Sequence, residues 1–208
     1  VPNGEPTLDK DIGELIKQLK EINIPVAMIT NSSLLTDMEL QKSLFLLDWV
    51  SLKIDAANED VWKKINRPFG KHCFNKIIES IFLFSENYKG TLTTETMLIK
   101  SLNDDIKTFY GLTKLILKIR PSVCYLSVPV RPAAEKWVKK TSENNLNQLY
   151  QMIKETGNNV EFLNIPINNN FVIKSGFEES LLAILRVHLM RKTEISGALK
   201  KVISIGLQ

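Results

Sequence analysis

Three polar residues alternate along one short apolar segment, and together they could bind or activate a polar ligand. The segment VSLKID is typical of a β-strand, whose side chains point alternately to its two faces. Ser51, Lys53 and Asp55 therefore share one face, and the apolar residues between them share the other. Because a parallel strand covered by helices is apolar on both faces, this polar face indicates either a functional lumen or an internal ion pair.

A second predicted strand, TTETMLI, repeats this pattern. Glu95 lies in its middle, on the same face as Thr93 and Met97. A structural interpretation pairs Glu95 with Lys53 or Lys100. In the functional interpretation a polar ligand compensates the charges, because an ionised group in a dry core costs several kcal/mol. Two strands with charged inner faces favour the functional interpretation.

The elements that position these residues follow a repeated strand and helix pattern, which predicts an α/β fold with a mainly parallel sheet. The predicted strands are 25–31, 49–55, 91–100, 123–130 and 160–166. The predicted helices are 12–22, a helix capped by Thr36, 59–66, 74–89, 104–120 and 144–157. A strand fragment before the opening Gly-Glu-Pro turn makes six strands. Right-handed crossovers would curl them into a partial barrel, with its site at the carboxyl ends of the strands.

The composition is that of a soluble globular chain with one core and a small appendage. The chain has 208 residues, of which 44% are hydrophobic and 24% are charged. No apolar run approaches the ~18 residues of a membrane span, so we expect a cytoplasmic location and no membrane partner. The net charge of +4 is compatible with an anionic partner such as nucleic acid but does not require one.

Metal-ligating residues are sparse in this sequence. Cys73 and Cys124 lie far apart and fit neither a disulfide framework nor a C-x2-C metal spacing. We interpret both as ordinary thiols. His72 and His188 fall on separate predicted elements, so we predict no metal site within this chain.

Five segments carry a family resemblance when they are taken together. In order they are NGEPTL, IPVAMITNSSLL, WVSLKIDAANEDVWKKINRP, TTETMLIKSLND and VPVRPAAEKWV. From Val1 to about Lys140 the chain resembles a radical S-adenosylmethionine (SAM) protein of the branch labelled iron-sulfur oxidoreductase. The resemblance implies a partial (β/α)6 TIM-like barrel, in which SAM lies across the strand ends and chelates one iron of a 4Fe-4S cluster. It also implies an enzyme that cleaves SAM reductively to a 5′-deoxyadenosyl radical for hydrogen abstraction, with an electron donor such as flavodoxin or ferredoxin.

The resemblance assigns SAM-binding roles to residues at the strand ends. These residues are Gly4, Glu5, Thr30, Asn31, Ser51, Lys53, Asp55, Glu95, Asn103, Val128 and Val130. The turn at Gly4 and Glu5 matches the motif that meets the cofactor ammonium. Lys53 suits the methionyl carboxylate, and Ser51 or Asp55 suits the ribose.

Two further groups of matched positions complete this assignment. Thr30 and Asn31 end a strand where polar side chains can reach the cofactor. Glu95 and Asn103 match the strand and turn that line the adenosine side. Val128 and Val130 match the strand whose backbone can pair with adenine.

One departure from the family pattern concerns the cluster. The family holds its cluster with three thiolates of a C-x3-C-x2-C loop after the first strand, and this sequence contains no such loop. We therefore expect the chain to be a piece that lacks the first barrel strand, with the cluster loop upstream of Val1. The 208 residues alone are then expected to be inactive. The sequence assigns no catalytic residue and no substrate.

Beyond about residue 140 the sequence resembles the family less closely. We predict a barrel over residues 1–166, a linker at 167–175 and a helical appendage at 176–208, which could begin a winged-helix or helix-turn-helix module. The alternative function is a nucleic-acid-binding or regulatory protein that uses the barrel as a scaffold, or a relative that modifies tRNA. Lys136, Lys139 and Lys140 form a local basic cluster, which is otherwise a solvated loop.

Overall fold

The computed structural model describes residues 4–70, 72–130 and 133–163. Within these residues the strands are β1 Ala27–Thr30, β2 Trp49–Lys53, β3 Thr91–Met97, β4 Val123–Ser127 and β5 Val160–Phe162. The helices are α1 Ile12–Glu21, α2 Met38–Leu44, α3 Glu59–Asn66, α4 Phe74–Asn87, α5 Ile106–Ile119 and α6 Glu143–Lys154. A short 3-10 turn, Pro6–Leu8, precedes α1. None of the helices in this described part has the length and apolar character needed to cross a membrane.

The spatial order of the strands follows the chain, β1-β2-β3-β4-β5, and every pairing is parallel. One or two helices connect each strand to the next, which is the connection that parallel strands require. The predicted α/β partial barrel is therefore confirmed. The predicted strand fragment before Gly4, the linker and the helical appendage lie outside the described residues, and the predicted domain boundaries stay a prediction.

The two faces of the sheet differ in chemistry, as the alternation in the sequence predicts. Val50, Leu52 and Ile54 of the second strand and its continuation are at most 3% exposed and belong to the main hydrophobic core. Phe84 of α4 and Phe109 of α5 are completely buried in the same core. Burial of this apolar face against the helices fixes the strand register, because a slip of one residue would expose it. The other, inner face is left to carry polar side chains.

Side-chain caps define where the helices begin. Asn58 caps α3, Asp105 caps α5 and Ser142 caps α6, each accepting a backbone N–H of the first turn. The prediction that Thr36 caps α2 is wrong, because Asp37 accepts two N–H groups at the start of that helix. A carboxylate in this position also interacts favourably with the helix dipole.

All five described strands end earlier than predicted, and two of them do so for a visible local reason. The strand predicted over 91–100 ends at Met97, because the side chain of Asn103 accepts the N–H of Ile99 and donates to the carbonyl of Met97. The strand predicted over 123–130 ends at Ser127. Pro129 follows closely and has no N–H to donate to a neighbouring strand.

Tyr88 closes the core beneath the amino-terminal end of the sheet. Its hydroxyl donates to the carbonyl oxygen of Leu47 at 2.9 Å, and its ring stacks on Phe84. Burial, assisted by the charge of Asp48, raises the pKa of Tyr88 to about 12. The folded protein therefore holds the phenolic proton more tightly than the unfolded chain does, whose tyrosines ionise near pH 10.

We predict that Tyr88→Phe lowers the free energy of unfolding at neutral pH by about 1–3 kcal/mol, because the buried Leu47 carbonyl loses its donor. The stability that the Tyr88 proton provides is complete below about pH 10 and is lost as the pH rises towards about 12. Denaturant unfolding measured from pH 8 to 12 tests this. The alkaline loss of stability should be smaller in Tyr88→Phe than in the unmodified protein, and equal losses would contradict the prediction.

Candidate cofactor-binding site

Polar side chains from β2, β3 and β4 meet on the inner face of the sheet. The parallel register places Ser51 beside Thr93 and Lys53 beside Glu95. Ser127 lies two residues beyond the β4 partner of Glu95, on the same face. The register therefore confirms that the predicted face of Ser51 and Lys53 and the predicted face of Thr93 and Glu95 lie side by side.

Lys53 is the central charge of this inner face. Its Nζ lies 3.3 Å from Oε1 of Glu95 and 3.5 Å from Oδ2 of Asp55. Oε1 of Glu95 also accepts the hydroxyl of Ser127 at 3.2 Å, and Oδ1 of Asp55 accepts the N–H of Met97 at 2.7 Å. Two carboxylates thus flank one ammonium. The predicted ion pair between Glu95 and Lys53 is therefore present. With one ammonium and two carboxylates, the cluster as a whole is acidic.

Burial acts differently on the members of this cluster. It opposes the charge of Lys53, but the carboxylates of Asp55 and Glu95 outweigh it and raise the pKa of Lys53 above its ordinary value. The side chain of Asp55 is only 3% exposed, whereas that of Lys53 is 24% exposed. Burial therefore raises the pKa of Asp55, and the Lys53 ammonium and the Met97 N–H offset it only in part. Asp55 depends on Lys53 for its ionised form.

A cavity of about 520 Å³ lies above this inner face, at the carboxyl ends of β3 and β4. Glu95, Ser127, Val128 and Val130 line it, so the predicted adenosine-side residues other than Asn103 meet here. Trp137 also lines it. The volume and the mixed apolar and polar lining are those of small-molecule sites, which span roughly 300–1,000 Å³.

The predicted Gly4 and Glu5 motif forms a second cluster, at the carboxyl end of β1. Oε1 of Glu5 accepts the N–H and hydroxyl of Thr7 at 3.2 and 2.7 Å and the hydroxyl of Thr30 at 2.6 Å. Oε2 of Glu5 accepts the N–H of Asn31 at 2.7 Å. Gly4 has a φ of 112°, a conformation that glycine adopts without strain. The carboxylate thus holds the opening turn to the end of β1.

The two clusters border different cavities. Glu5 and Asn31 line a smaller cavity of about 200 Å³, and the side chain of Arg67 lies on the wall of both cavities. Thr30 is 1% exposed and pairs in register with Leu52, on the helix-covered side of the sheet. Its hydroxyl reaches Glu5 and does not face the inner surface.

Asn103 is completely buried between the ends of β2 and β3. Its Nδ2 donates to the carbonyl oxygens of Asp55 and Met97, both at 2.9 Å, and its Oδ1 accepts the N–H of Ile99 at 2.7 Å. These three contacts tie together the two strand ends that carry Lys53 and Glu95. A direct contact between Asn103 and a cofactor stays a prediction.

Sequence reasoning missed two features of the site. It did not assign Ser127, although the alternation along VCYLS places that hydroxyl on the inner face. It also missed the ion pair between Arg67 and Glu135, 2.6 Å apart, which joins the end of α3 to the 133–138 segment beside the cavity. No local pattern signals that contact, because its partners lie far apart in the sequence.

The residues of this chain do not fit an iron-sulfur cluster. Among the described residues, no group of three or more His, Cys, Asp or Glu is placed to hold a metal ion. The whole sequence has only two cysteines, of which Cys73 is exposed and Cys124 is buried. Burial raises the pKa of Cys124 to about 11, so its thiol stays protonated at neutral pH. Three cluster thiolates cannot come from this chain.

The donor set does fit SAM, because the cofactor carries a carboxylate, an ammonium and ribose hydroxyls. Lys53 supplies a cation with three N–H donors, and Glu95 supplies an acceptor that faces the larger cavity. Among the described residues, Oε2 of Glu5 accepts one hydrogen bond, and a carboxylate oxygen can accept a second from an ammonium. Opposite charges are therefore present for each charged end of the cofactor.

Fold and site together define an α/β partial barrel with a polar inner face, and comparisons with known proteins give its family. A family model described as the radical SAM superfamily matches residues 3–113. The chain belongs to the radical SAM superfamily. It is 34% identical over 203 residues to a UPF0026 protein of Methanocaldococcus jannaschii, covering 97% of this chain. The chain spans 63% of the length of that relative.

Two solved structures share the fold at low sequence identity. A domain of pyruvate-formate lyase-activating enzyme from Bacteroides vulgatus has a TM-score of 0.63 and 17% identity, over 77% of this chain and 94% of that one. Streptococcus suis SuiB bound to S-adenosylmethionine has a TM-score of 0.55 and 17% identity, over 76% of this chain and 37% of that one. These likenesses establish the radical SAM partial-barrel fold.

We predict that Glu5→Gln lowers the free energy of unfolding by about 1–3 kcal/mol, because an amide nitrogen would face one of the donors that the carboxylate now accepts. Glu21→Gln, at an exposed position of α1, is the matched control and should change stability by less than about 0.5 kcal/mol. Denaturant unfolding measures both. Equal stabilities of the two variants would show that Glu5 does not stabilise the opening turn.

Removing Lys53 should destabilise the apo protein more than removing its whole ion pair. We expect Lys53→Ala to cost about 3–5 kcal/mol, because it leaves the buried Asp55 without compensation. The double variant Lys53→Gln with Asp55→Asn removes both charges and keeps an acceptor for the Met97 N–H, so it should recover most of that loss. Thermal and denaturant unfolding test the order of the two. A double variant less stable than Lys53→Ala would contradict this account.

Proposed function

We propose that the full-length protein is a radical SAM enzyme and that the inner face of this sheet binds SAM across the carboxyl ends of β1 to β4. The observation that carries this proposal is the placement of Lys53. Its ammonium lies on the inner face between Asp55 and Glu95, and Glu95 lines a cavity of ligand size. In this superfamily, cluster-bound SAM supplies an organic radical. The roles below concern the residues of this chain and SAM alone.

Lys53 binds the methionyl carboxylate in this proposal. The ammonium has three N–H donors, and in the part of the chain that the structure describes it makes one hydrogen bond, to Glu95. Asp55 lies within ion-pair distance but is buried and accepts the Met97 N–H, so it positions Lys53 and does not meet the ribose. An incoming carboxylate would accept a remaining N–H donor of an ammonium that two acidic groups already hold in place.

The ribose and adenine occupy the larger cavity. Oε1 of Glu95 is taken by Lys53 and Ser127, so Oε2 is the oxygen left to accept ribose hydroxyls. Beyond β4, Val128 and Val130 offer backbone groups to the adenine edge, and Pro129 between them has no N–H. Both valines line the cavity with apolar surface, which suits the faces of a purine.

The cofactor ammonium is assigned to the Glu5 cluster. Oε2 of Glu5 accepts the N–H of Asn31 and has room for a second donor. Because the same carboxylate also fixes the opening turn, Glu5 has both a structural and a binding role in this proposal. A one-electron donor such as flavodoxin or ferredoxin, and a cytoplasmic location, belong to the same proposal.

Calorimetric titration of the full-length protein with SAM tests the assignment of Lys53. The Lys53→Gln and Asp55→Asn double variant should bind SAM more weakly by about 1–3 kcal/mol, the range for hydrogen bonds to charged groups. Lys20→Gln is the matched control, because Lys20 forms an ion pair of 2.7 Å with Asp48 away from the inner face. Melting curves show whether each variant is folded. Unchanged SAM affinity in a folded double variant would show that Lys53 does not bind SAM and has only a structural role.

A further inference from the structure

Four exposed lysines lie within two residues, along the chain, of residues that line the larger cavity. They are Lys100, after β3, and Lys136, Lys139 and Lys140, in the segment before α6. We refer to these four residues as the lysine surface. The sequence alone places only three of them together, and the fold adds Lys100.

Backbone pairing brings two of these lysines close together. Ile99 and Lys140 form an antiparallel bridge, and the N–H of Lys100 donates to the carbonyl of Lys139 at 2.8 Å. This hydrogen bond makes Lys100 and Lys139 neighbours across the two segments. Like charges in this arrangement are destabilising. The arrangement is therefore one that an anion would relieve.

The nearby carboxylates are engaged elsewhere. Asp104 accepts the N–H of Ser101 and the side chains of Thr141 and Asn145. Glu135 forms its ion pair with Arg67 at 2.6 Å. Within the described residues, no carboxylate lies within ion-pair distance of the lysine surface.

An aromatic side chain joins the lysine surface to the cavity. Trp137 lies between Lys136 and Lys139 in sequence, is 48% exposed, and lines the same cavity as Glu95. Interleaved aromatic and cationic side chains are the features that bind single-stranded nucleic acid, because bases stack on the ring and phosphates pair with the cations. A strand held this way would present one base at the cavity mouth.

We propose that the substrate is a single-stranded nucleic acid, whose phosphates lie on the lysine surface and one of whose bases stacks on Trp137. This inference rests on the proposed function, since it places the substrate base beside the bound SAM. It extends that function by giving the class of substrate. An unpaired strand is required because a base within a duplex is not free to reach the ring.

The first test uses two fluorescein-labelled single strands of about 15 nucleotides, one of RNA and one of DNA. Fluorescence anisotropy measures their binding to the full-length protein at several salt concentrations. In the double variant Lys100→Gln with Lys139→Gln, the negative slope of log affinity against log salt concentration should become shallower by about 1.4, because two phosphate contacts are lost. The control, Lys76→Gln with Lys114→Gln, removes exposed lysines of α4 and α5 and should leave the slope unchanged. Melting temperatures of the first variant should not fall, since a like-charge pair is removed.

The second test concerns the aromatic contact and the kind of partner. Trp137→Ala should weaken binding about fivefold or more, and Trp137→Phe should retain most of it. The RNA and DNA arms show which strand is preferred. Poly-glutamate tests the other class of partner: if it binds as tightly as the nucleic acids and depends on the same lysines, the surface recognises acidic protein and the proposal is overturned. Equal slopes for the two lysine double variants would also overturn it.

SAM affinity, measured on the same proteins, separates this inference from the proposed function. The lysine variants should bind SAM as the unmodified protein does. If the unmodified protein binds no SAM while nucleic-acid binding follows the lysine surface, the proposed function is wrong and the nucleic-acid site is supported. If SAM binds but nucleic acid does not, the inference about the substrate fails alone.

Discussion

The inner face of the sheet depends on one ammonium group held between two carboxylates. Without Lys53, Asp55 would be an unpaired buried charge, and Glu95 would lose its cationic partner on the neighbouring strand. Buried ion pairs contribute little net stability, because desolvation opposes the attraction. An apolar inner face would serve stability as well or better. The retention of three charged groups here is therefore more readily explained by ligand binding than by folding.

The charged cluster and the Glu5 cluster use their hydrogen-bonding capacity differently. Around Glu5, four donors of the protein already occupy the carboxylate, so this cluster is assembled without a ligand. Around Lys53, the ammonium makes one hydrogen bond among the described residues, to Glu95, and the Glu95 side chain lines the larger cavity. The first arrangement fixes the position of a strand end, and the second leaves polar groups open to a polar molecule.

Sequence patterns predicted the type and order of the elements, the shared face of Ser51 and Lys53, and the shared face of Thr93 and Glu95. Period-two alternation suffices for this, because it decides which side chains point together. The alternation within one strand could not decide between an ion pair and a ligand site. That choice depends on contacts between strands, such as the hydrogen bond from the Met97 N–H to Asp55. Strand ends were missed where the side chain of Asn103 replaced a ladder hydrogen bond. The wrong cap on α2 came from Thr36 and Asp37, two neighbouring residues that can both cap a helix.

The buried amide of Asn103 has a consequence for the entropy of binding. It fastens Met97 at the end of β3, and Asp55 and Ile99 just beyond β2 and β3, through three hydrogen bonds, although Asp55 and Ile99 lie outside the regular strands. Loops at such positions ordinarily lose conformational freedom when a ligand binds, and that loss weakens affinity. Here the backbone is ordered by the fold itself. The amide hydrogens of Met97 and Ile99 should accordingly exchange with solvent as slowly as those of the strand interior, with or without a ligand.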